Sequence, residues 1–181
     1  MADFASPTEL QNWLDLESIN SAKATLALAV ASSDIRQYCG WSISAETITE
    51  TLDGPGSRNL WLPTLKLTAV AEVKVDNDIL TPVTQYDWTS YGKLIHKGCW
   101  PRTPRSVEVT YTHGYTVVPD AVKGVCLMLA SRLYNNPEAL KSLSETWGPF
   151  AENRSYADHS GPGLSEQEIA SIGRYKLQDL G

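Results

Sequence analysis

Few residues of this chain have the types and spacing that covalent chemistry requires. Nucleophilic hydrolysis needs a serine or cysteine beside a base, yet the sequence contains no Gly-x-Ser-x-Gly turn, and Ser57 simply follows the glycine-rich turn 53–56. A phosphate-binding loop needs the Gly-x-x-x-x-Gly-Lys-Ser/Thr pattern before a helix, and this pattern is also missing. We therefore expect no catalytic residue, no cofactor-binding residue and no cofactor.

The residues able to bind a metal are scattered in the same way. His96 and Cys99 form the only closely spaced pair of typical ligands. The other candidates stand alone or flank a turn: His113, His159, Asp76 and Asp78. We expect these to be ordinary loop and strand-end residues, and we expect no metal site.

Two pairs of carboxylates are the ones that general acid–base catalysis would have to use, Glu50 with Asp53 and Glu166 with Glu168. The sequence pattern assigns the first pair to a strand and the turn after it, and the second pair to the start of a helix. Both pairs have a sufficient structural explanation. We expect the protein not to be an enzyme.

One charged cluster is distinctive because it contains no acid and is interleaved with His96 and Trp100. Its members lie within residues 93–105 and are Lys93, Lys97, Arg102 and Arg105. A positive groove with aromatic stacking is how single-stranded nucleic acid is bound. The neighbouring prolines equally suit an exposed loop with solvated charges, and the same charges suit an acidic neighbouring subunit. All three interpretations remain open at this point.

Charge and composition limit the class of protein. Fifteen basic against 21 acidic residues give a net charge of −6, which argues against a protein that clamps duplex DNA over its whole surface. A length of 181 residues with 42% hydrophobic content suits one domain with a real core. The wide spacing of Cys39, Cys99 and Cys126 favours a reducing compartment. With no signal-peptide pattern and no long apolar stretch, we expect a soluble protein made in the cytoplasm, with no membrane partner.

Helix signals precede and follow the middle of the chain. A capping box around Ser6 predicts a short first helix, and a longer helix is predicted from about residue 19 to Cys39, ended by Gly40. The longer helix has two adjacent rows of mostly small residues: Ala22, Leu26, Ala29 and Ser33, then Leu28, Ala31, Ile35 and Tyr38. Pro119 and Asp120 begin a third helix, which ends at residues 135–137.

Between residues 41 and 118 the hydrophobic pattern alternates and turn dipeptides recur, which indicates strands. The predicted strands are 47–52, 59–62, 69–75, 86–89, 93–96 and 107–113. Their spacing suits antiparallel hairpins and disfavours parallel crossover units.

After residue 137 the chain becomes polar and interrupted, which predicts an extended arm, and a capping box of Ser165 and Glu168 then begins a last helix. The expected fold is α+β, a small α-helical bundle with an inserted antiparallel β-hairpin/β-sheet region and an extended C-terminal arm ending in a helix. We expect residues 1–136 to form one domain, with helices at 6–40 and 119–136 around an insertion at 41–118. Residues 137–181 are then the arm and a docking helix.

Several local strings, taken in order, carry a family resemblance over nearly the whole chain. They are Tyr38-Cys39-Gly40-Trp41, Leu52-Asp53-Gly54-Pro55-Gly56, Leu60-Trp61-Leu62-Pro63, Tyr86-Asp87-Trp88, Trp100-Pro101, Val107-Glu108-Val109-Thr110-Tyr111-Thr112-His113-Gly114-Tyr115, and Gly163-Leu164-Ser165-Glu166-Gln167-Glu168. The chain thereby resembles the head–tail connector or adaptor (head completion) proteins of long-tailed bacteriophages and gene transfer agents. It departs from them at Lys66, where a proline is expected, and at 150–156, where the alternation of a strand is missing.

The resemblance implies a structural virion protein without an enzymatic step. It implies a homo-oligomeric ring, expected to be dodecameric, beneath the portal at the head–tail junction, assembled first in the host cytoplasm. Such a ring would pass genomic DNA without binding it specifically and would offer a surface to stopper or tail-completion proteins. The alternative is a single-strand nucleic-acid binding module that uses the 93–105 stretch.

Two sets of contact residues are expected. The segment 164–180 is expected to dock on the portal protein, because a capped, apolar helix follows a loose arm; its contact residues are Leu164, Ile169, Ile172, Tyr175 and Leu177. Contacts with a neighbouring subunit or the stopper are expected from Lys97, Trp100, Arg102 and Arg105.

Overall fold

A computed structural model describes residues 3–136, 142–147, 150–155 and 163–178, with the backbone alone between 142 and 155. The described helices are α1 (Pro7–Trp13), α2 (Ser21–Cys39), α3 (Asp120–Asn135) and α4 (Glu166–Ile172), the last followed by a 3-10 turn at Gly173–Tyr175. The described strands are β1 (Glu46–Leu52), β2 (Asn59–Trp61), β3 (Leu67–Val75), β4 (Asp78–Ile79), β5 (Tyr86–Trp88), β6 (Lys93–His96), β7 (Val107–His113), β8 (Ser142–Trp147) and β9 (Phe150–Ser155). The predicted α+β fold class is confirmed.

Two compact units divide the chain. The helical unit comprises Met1–Tyr38 and Pro119–Arg174, and the sheet unit comprises Cys39–Val118 and Tyr175–Gly181. The described residues of α4 therefore group with the other helices, while residues 175–178 group with the strands. No helix in the described ranges is long and apolar enough to cross a membrane.

The helical unit is held by apolar packing between its helices, and α1 has a well-formed start. Ser6 accepts a hydrogen bond from the backbone N–H of Glu9 at 3.2 Å, and the Glu9 carboxylate accepts one from the N–H of Ser6 at 2.8 Å, so α1 has the predicted capping box. Lys123 on α3 donates to Glu9 at 2.7 Å, and this bond lowers the pKa of Glu9. Beneath these contacts, Leu10, Leu28 and Leu129 are fully buried.

The sheet unit is built around β7. One antiparallel sheet has the order β1-β7-β3-β4 and a second has the order β2-β6-β5. Along β7 the residues are alternately buried and half-buried, beginning with a buried Val107. Its inward residues belong to one apolar cluster that also contains residues of the second sheet. The largest buried side chains of this cluster include Tyr86, Leu94 and Trp100.

Two strand pairings were not predicted from the sequence. Asp76 and Asn77, at φ +50° and +76°, turn the chain back so that Asp78–Ile79 pairs with the end of β3. The strands β8 and β9 pair from Ser142 opposite Ser155 to Trp147 opposite Phe150, where the sequence indicated an extended arm without strand alternation. Apolar and polar residues alternate in a strand when one face of its sheet is buried. Two strands can pair through backbone hydrogen bonds alone, so a short hairpin can form without this alternation in its sequence.

A histidine whose side chain makes no hydrogen bond lies at the end of β7. The His113 side chain is 3% exposed, and neither ring nitrogen has a hydrogen-bond partner. Its Nε2 lies 3.6 Å from a carboxylate oxygen of Glu46, and the rings of Tyr111 and Trp41 pack beside it at 5.2 Å and 6.0 Å between centroids. Burial lowers the pKa of His113, against the opposing effect of Glu46 and then of Glu50, the charged groups that face it.

This burial predicts a pH dependence of stability. Above the ordinary histidine pKa of 6.5, His113 is neutral in both the folded and the unfolded protein and its contribution is fully present. As the pH falls below 6.5, the unfolded chain binds the proton first, so the free energy of unfolding should fall by at most about 1.4 kcal/mol per pH unit. Urea unfolding of the wild type and of His113→Phe at pH 7.5, 6.5 and 5.5 measures this. The variant should show the smaller slope, and equal slopes in the two proteins would contradict the assignment.

Candidate assembly surfaces

Two loops of the sheet unit are joined into one surface by backbone hydrogen bonds. The N–H of Gly54 donates to the carbonyl of Thr103 at 2.9 Å, and the N–H of Gly56 donates to the carbonyl of Pro101 at 3.1 Å. The N–H of Trp100 donates to the carbonyl of Ser57 at 2.9 Å. Residues 53–58 and 97–106 therefore hold each other in place without a helix or strand of their own.

Three exposed cations on the loop 97–106 form what we call the basic loop face: Lys97, Arg102 and Arg105. Arg105 has φ +54°, and its N–H donates to the Asp53 carboxylate at 2.7 Å, which fixes the backbone there. Lys97 forms an ion pair of 2.9 Å with Asp87, but both side chains are about half exposed, so the pair stabilises the fold very little. The face is thus positioned by its backbone, and its charges are left at the surface.

Trp100 is not part of that surface. Its side chain is only 1% exposed, and its indole N–H donates to the carbonyl of Arg58 at 3.0 Å. The His96 ring packs on it at 5.0 Å between centroids. The structure therefore brings together three of the four residues expected to make subunit or stopper contacts and places the fourth in the core. The aromatic ring proposed for stacking on nucleic acid bases is not accessible.

The exposed aromatic side chains of this unit are different ones. Trp61 on β2 and Trp88 on β5 are 46% and 40% exposed, and the ammonium group of Lys93 lies 5.4 Å from the Trp61 ring centre. Successive side chains of a strand point to opposite faces, so Trp61 points outward next to the buried Leu60.

The carboxylates considered for catalysis have structural partners. Glu50 accepts a hydrogen bond from the Tyr111 hydroxyl at 2.6 Å, and Asp53 holds the backbone of Arg105 as described. Glu166 lies in the first turn of α4, and Glu168 is an ion-pair partner described below. Among the residues that the structure describes, no three His, Cys, Asp or Glu side chains are close enough together to bind a metal. His159 lies outside the described residues.

The expected portal-docking helix is attached to its own chain. Ser165 and Glu168 form the predicted capping box of α4, and Arg132 on α3 donates to the Glu168 carboxylate at 2.8 Å and to the carbonyl of Gly163 at 3.1 Å. Ile172 is fully buried, whereas Leu164 and Ile169 are half-buried. Of the expected contact residues on this helix, only these last two have accessible surface while α4 remains in place.

The residues after α4 pack against the sheet unit. The N–H of Leu177 donates to the carbonyl of Cys39 at 2.8 Å, and the indole N–H of Trp41 donates to the carbonyl of Tyr175 at 2.7 Å. The rings of Tyr175 and Tyr115 meet edge to face at 6.0 Å between centroids. Tyr175 and Leu177 are half-buried as a result. The remainder of the predicted docking segment, 179–180, lies outside the described residues.

The sequence pattern of the head completion protein family matches residues 3–147, well over half of the chain. The chain belongs to the head completion protein family. The resemblance predicted from the sequence is thereby confirmed. No curated protein matches the chain.

Two solved structures share the fold of this head completion family member. One contains a chain in the virion of a native gene transfer agent particle, with a TM-score of 0.67 and 14% identity, covering 98% of this chain and 91% of that one. The other contains a chain in the neck of an empty gene transfer agent particle computed with C6 symmetry, with a TM-score of 0.65, 14% identity and the same coverage. At this identity the likeness concerns the fold.

The joined loops generate a test of how the basic loop face is held. A Cβ added at Gly54 would collide with the carbonyl oxygen of Pro101 and lie 2.7 Å from the Ser106 hydroxyl, so Gly54→Ala should lower the free energy of unfolding by about 1–3 kcal/mol. Gly124→Ala is the matched control, because Gly124 lies within α3 with no atom within 4 Å of an added Cβ, and it should stabilise the protein by roughly 1 kcal/mol. Scanning calorimetry measures both, and a stabilising Gly54→Ala would contradict the loop contact.

Proposed function

We propose that this protein is a structural component of the neck of a phage-like particle, where identical copies form the ring-shaped head–tail connector beneath the portal. The observation that carries the proposal is the family match over residues 3–147. A role in the neck is also supported by the shared fold with a chain from a gene transfer agent neck. The function requires no enzymatic step. The protein would be made in the host cytoplasm and would act at the head–tail junction of the virion.

The charge of the chain suits a conduit for DNA. Each copy carries a net charge of −6, so a ring multiplies a negative charge that repels the phosphate backbone. Genomic DNA would pass through such a ring without specific binding. In this proposal the acidic charge prevents DNA from binding to the ring. The exposed cations make contacts with other proteins.

The basic loop face is the part of the sheet unit that we propose for contact with a neighbouring subunit or with the stopper protein. Arg102 and Arg105 are exposed on loops whose backbones are fixed, so an acidic partner meets charges that are already in place. Electrostatic complementarity of this kind accelerates encounter and selects the partner. Trp100 supports the loops from within and makes no direct contact in this proposal.

The portal contact is proposed for the C-terminal segment. The half-buried Leu164 and Ile169 offer apolar surface beside the polar outer face of α4, and Tyr175 and Leu177 offer part of their side chains further on. Ile172 anchors the helix internally because it is fully buried. The portal would therefore meet one edge of α4 and the residues that follow it.

Electron microscopy of the purified protein mixed with its portal tests the ring and the docking segment together. Wild-type protein should add a layer of density beneath the portal. Truncation after Gly161 should abolish that layer, and Leu164→Asp combined with Ile169→Asp should weaken portal binding by about tenfold, equivalent to roughly 1.4 kcal/mol.

The double aspartate variant separates docking from folding, since its two sites are half-buried and its circular dichroism spectrum should match the wild type. Glu166→Ala, an exposed change on the same helix, is the control and should bind normally. Portal binding that survives the truncation would show that the docking segment lies elsewhere.

Charge reversal at the basic loop face tests the second contact. Arg102→Glu with Arg105→Glu should reduce the yield of complete tailed particles by about tenfold, because like charges then face an acidic partner. Arg102→Lys with Arg105→Lys keeps the charge and should assemble normally. Unimpaired assembly of the glutamate variant, measured by counting particles in negative stain, would remove this assignment.

The nucleic-acid alternative makes the opposite prediction for the isolated protein. It requires salt-dependent binding of oligonucleotides through residues 93–105. The buried position of Trp100 and the ion pair of Lys97 with Asp87 weigh against it.

A further inference from the structure

The outer side of α2 is apolar and largely exposed. Residues 24–33 contain no charged side chain, and within this run Leu26 is 67% exposed and Val30 is 39% exposed. The opposite side of the same helix is packed normally, since Leu28, Ala31 and Ile35 are fully buried. A helix that is apolar on both sides is normally buried on both sides. The exposed side of α2 therefore requires a partner.

A groove makes this side more than a flat surface. It has a volume of about 170 Å³ and is lined by Lys23, Leu26, Ala27, Val30 and Leu133. Four of these five side chains are apolar, and the single charge lies at one end of the run of uncharged residues. The groove suits a large apolar side chain.

Two such side chains are exposed near the end of α1. Trp13, at the end of α1, is 52% exposed, and Leu16, in the turn that follows, is 40% exposed. An exposed tryptophan side chain is a typical anchor of a protein interface when it enters a pocket on the partner, and a neighbouring leucine adds apolar area to the contact.

The start of α1 and the groove lie on different flanks of α2. The residues that lead into α1 pack on one flank, where the N–H of Phe4 donates to the Ser32 hydroxyl at 3.1 Å and the guanidinium of Arg36 lies 4.5 Å from the Phe4 ring centre. Val30, in the groove, lies two positions before Ser32, and at 3.6 residues per turn this places it about 160° around the helix. The chain thus enters α1 on the flank opposite the groove.

We propose that Trp13 and Leu16 of one copy of this chain insert beside Leu26 and Val30 of the next copy. The inference rests on the proposed ring, and it names the surfaces that join its subunits. A ring needs a contact between two different surfaces of each subunit, which the anchor and the groove provide. Copies that each carry a net charge of −6 repel one another, so association is favoured when the receiving surface has no acids, and the run 24–33 is such a surface.

Cross-linking in assembled particles tests this arrangement. Cys99, the exposed cysteine, is first replaced by serine. Glu17→Cys, next to Leu16, and Ser33→Cys, on the groove side of α2, are then combined, so that the four apolar contact residues are kept. A short bis-maleimide should join the double variant into a ladder that extends beyond the dimer on a denaturing gel. Each single variant should remain monomeric, because two copies of the same surface do not meet.

The possible outcomes separate the inference from the proposed function. Dimers formed by Ser33→Cys alone would show that α2 meets α2, and this would overturn the pairing of anchor and groove. A double variant that enters particles and stays monomeric on the gel would overturn the inference while leaving the ring intact. Absence of the wild-type protein from purified particles would overturn the proposed function and with it the inference.

A second variant measures the groove directly. Leu26→Asp changes a side chain that is two-thirds exposed, so it should leave the Tm unchanged but prevent incorporation into particles. Thr25→Asp, exposed on the next position of the helix and outside the groove lining, should be incorporated normally. Normal incorporation of Leu26→Asp would overturn the inference.

Discussion

The sheet unit depends on the double pairing of β7. This strand is hydrogen bonded to β1 on one edge and to β3 on the other, and its inward side chains, among them Val109 and Tyr111, are fully buried. A shift of one residue would turn every buried side chain of β7 outward, so burial strongly constrains the register of this strand. On the other face, hydroxyl pairs across β1 and β7, such as Thr49 with Thr110 at 2.8 Å, fit the same register. The loop 53–58 follows β1 and the loop 97–106 precedes β7, and because Leu52 pairs with Val107, both loops adjoin the same end of this strand pair.

The elements that the sequence predicted best are those with a local cause. Alternation identified β7, and the capping boxes of Ser6 and Ser165 identified the starts of α1 and α4. The strand β4 was missed because two residues are too few to show a period. The core position of Trp100 was missed because it depends on a loop about 45 residues earlier in the chain, and no local pattern reports such a contact. For the same reason the sequence predicted the apolar side of α4 but not the ion pair between its Glu168 and Arg132 of α3.

Charge has two separate roles in this molecule. Inside each unit, single ion pairs attach one element to the next, as when Arg132 on α3 meets the buried Glu168 of α4. Such a pair is costly to break because the remaining charge stays buried, so it specifies position more than it adds stability. At the surface, the acids outnumber the bases, and the exposed cations of the basic loop face are the exception. The acidic surface disfavours association between copies, whereas the uncharged side of α2 permits it.

The burial of two thiols affects how the protein responds to oxidants. Burial raises the pKa of Cys39 to about 11, against a smaller opposing effect of Lys176, and burial likewise raises the pKa of Cys126. Only the thiolate reacts readily with oxidants and disulfides, so these two buried side chains should react more slowly than the exposed Cys99. Oxidation of cysteine would therefore begin at the surface of the sheet unit, at Cys99, and reach the cores of the two units last.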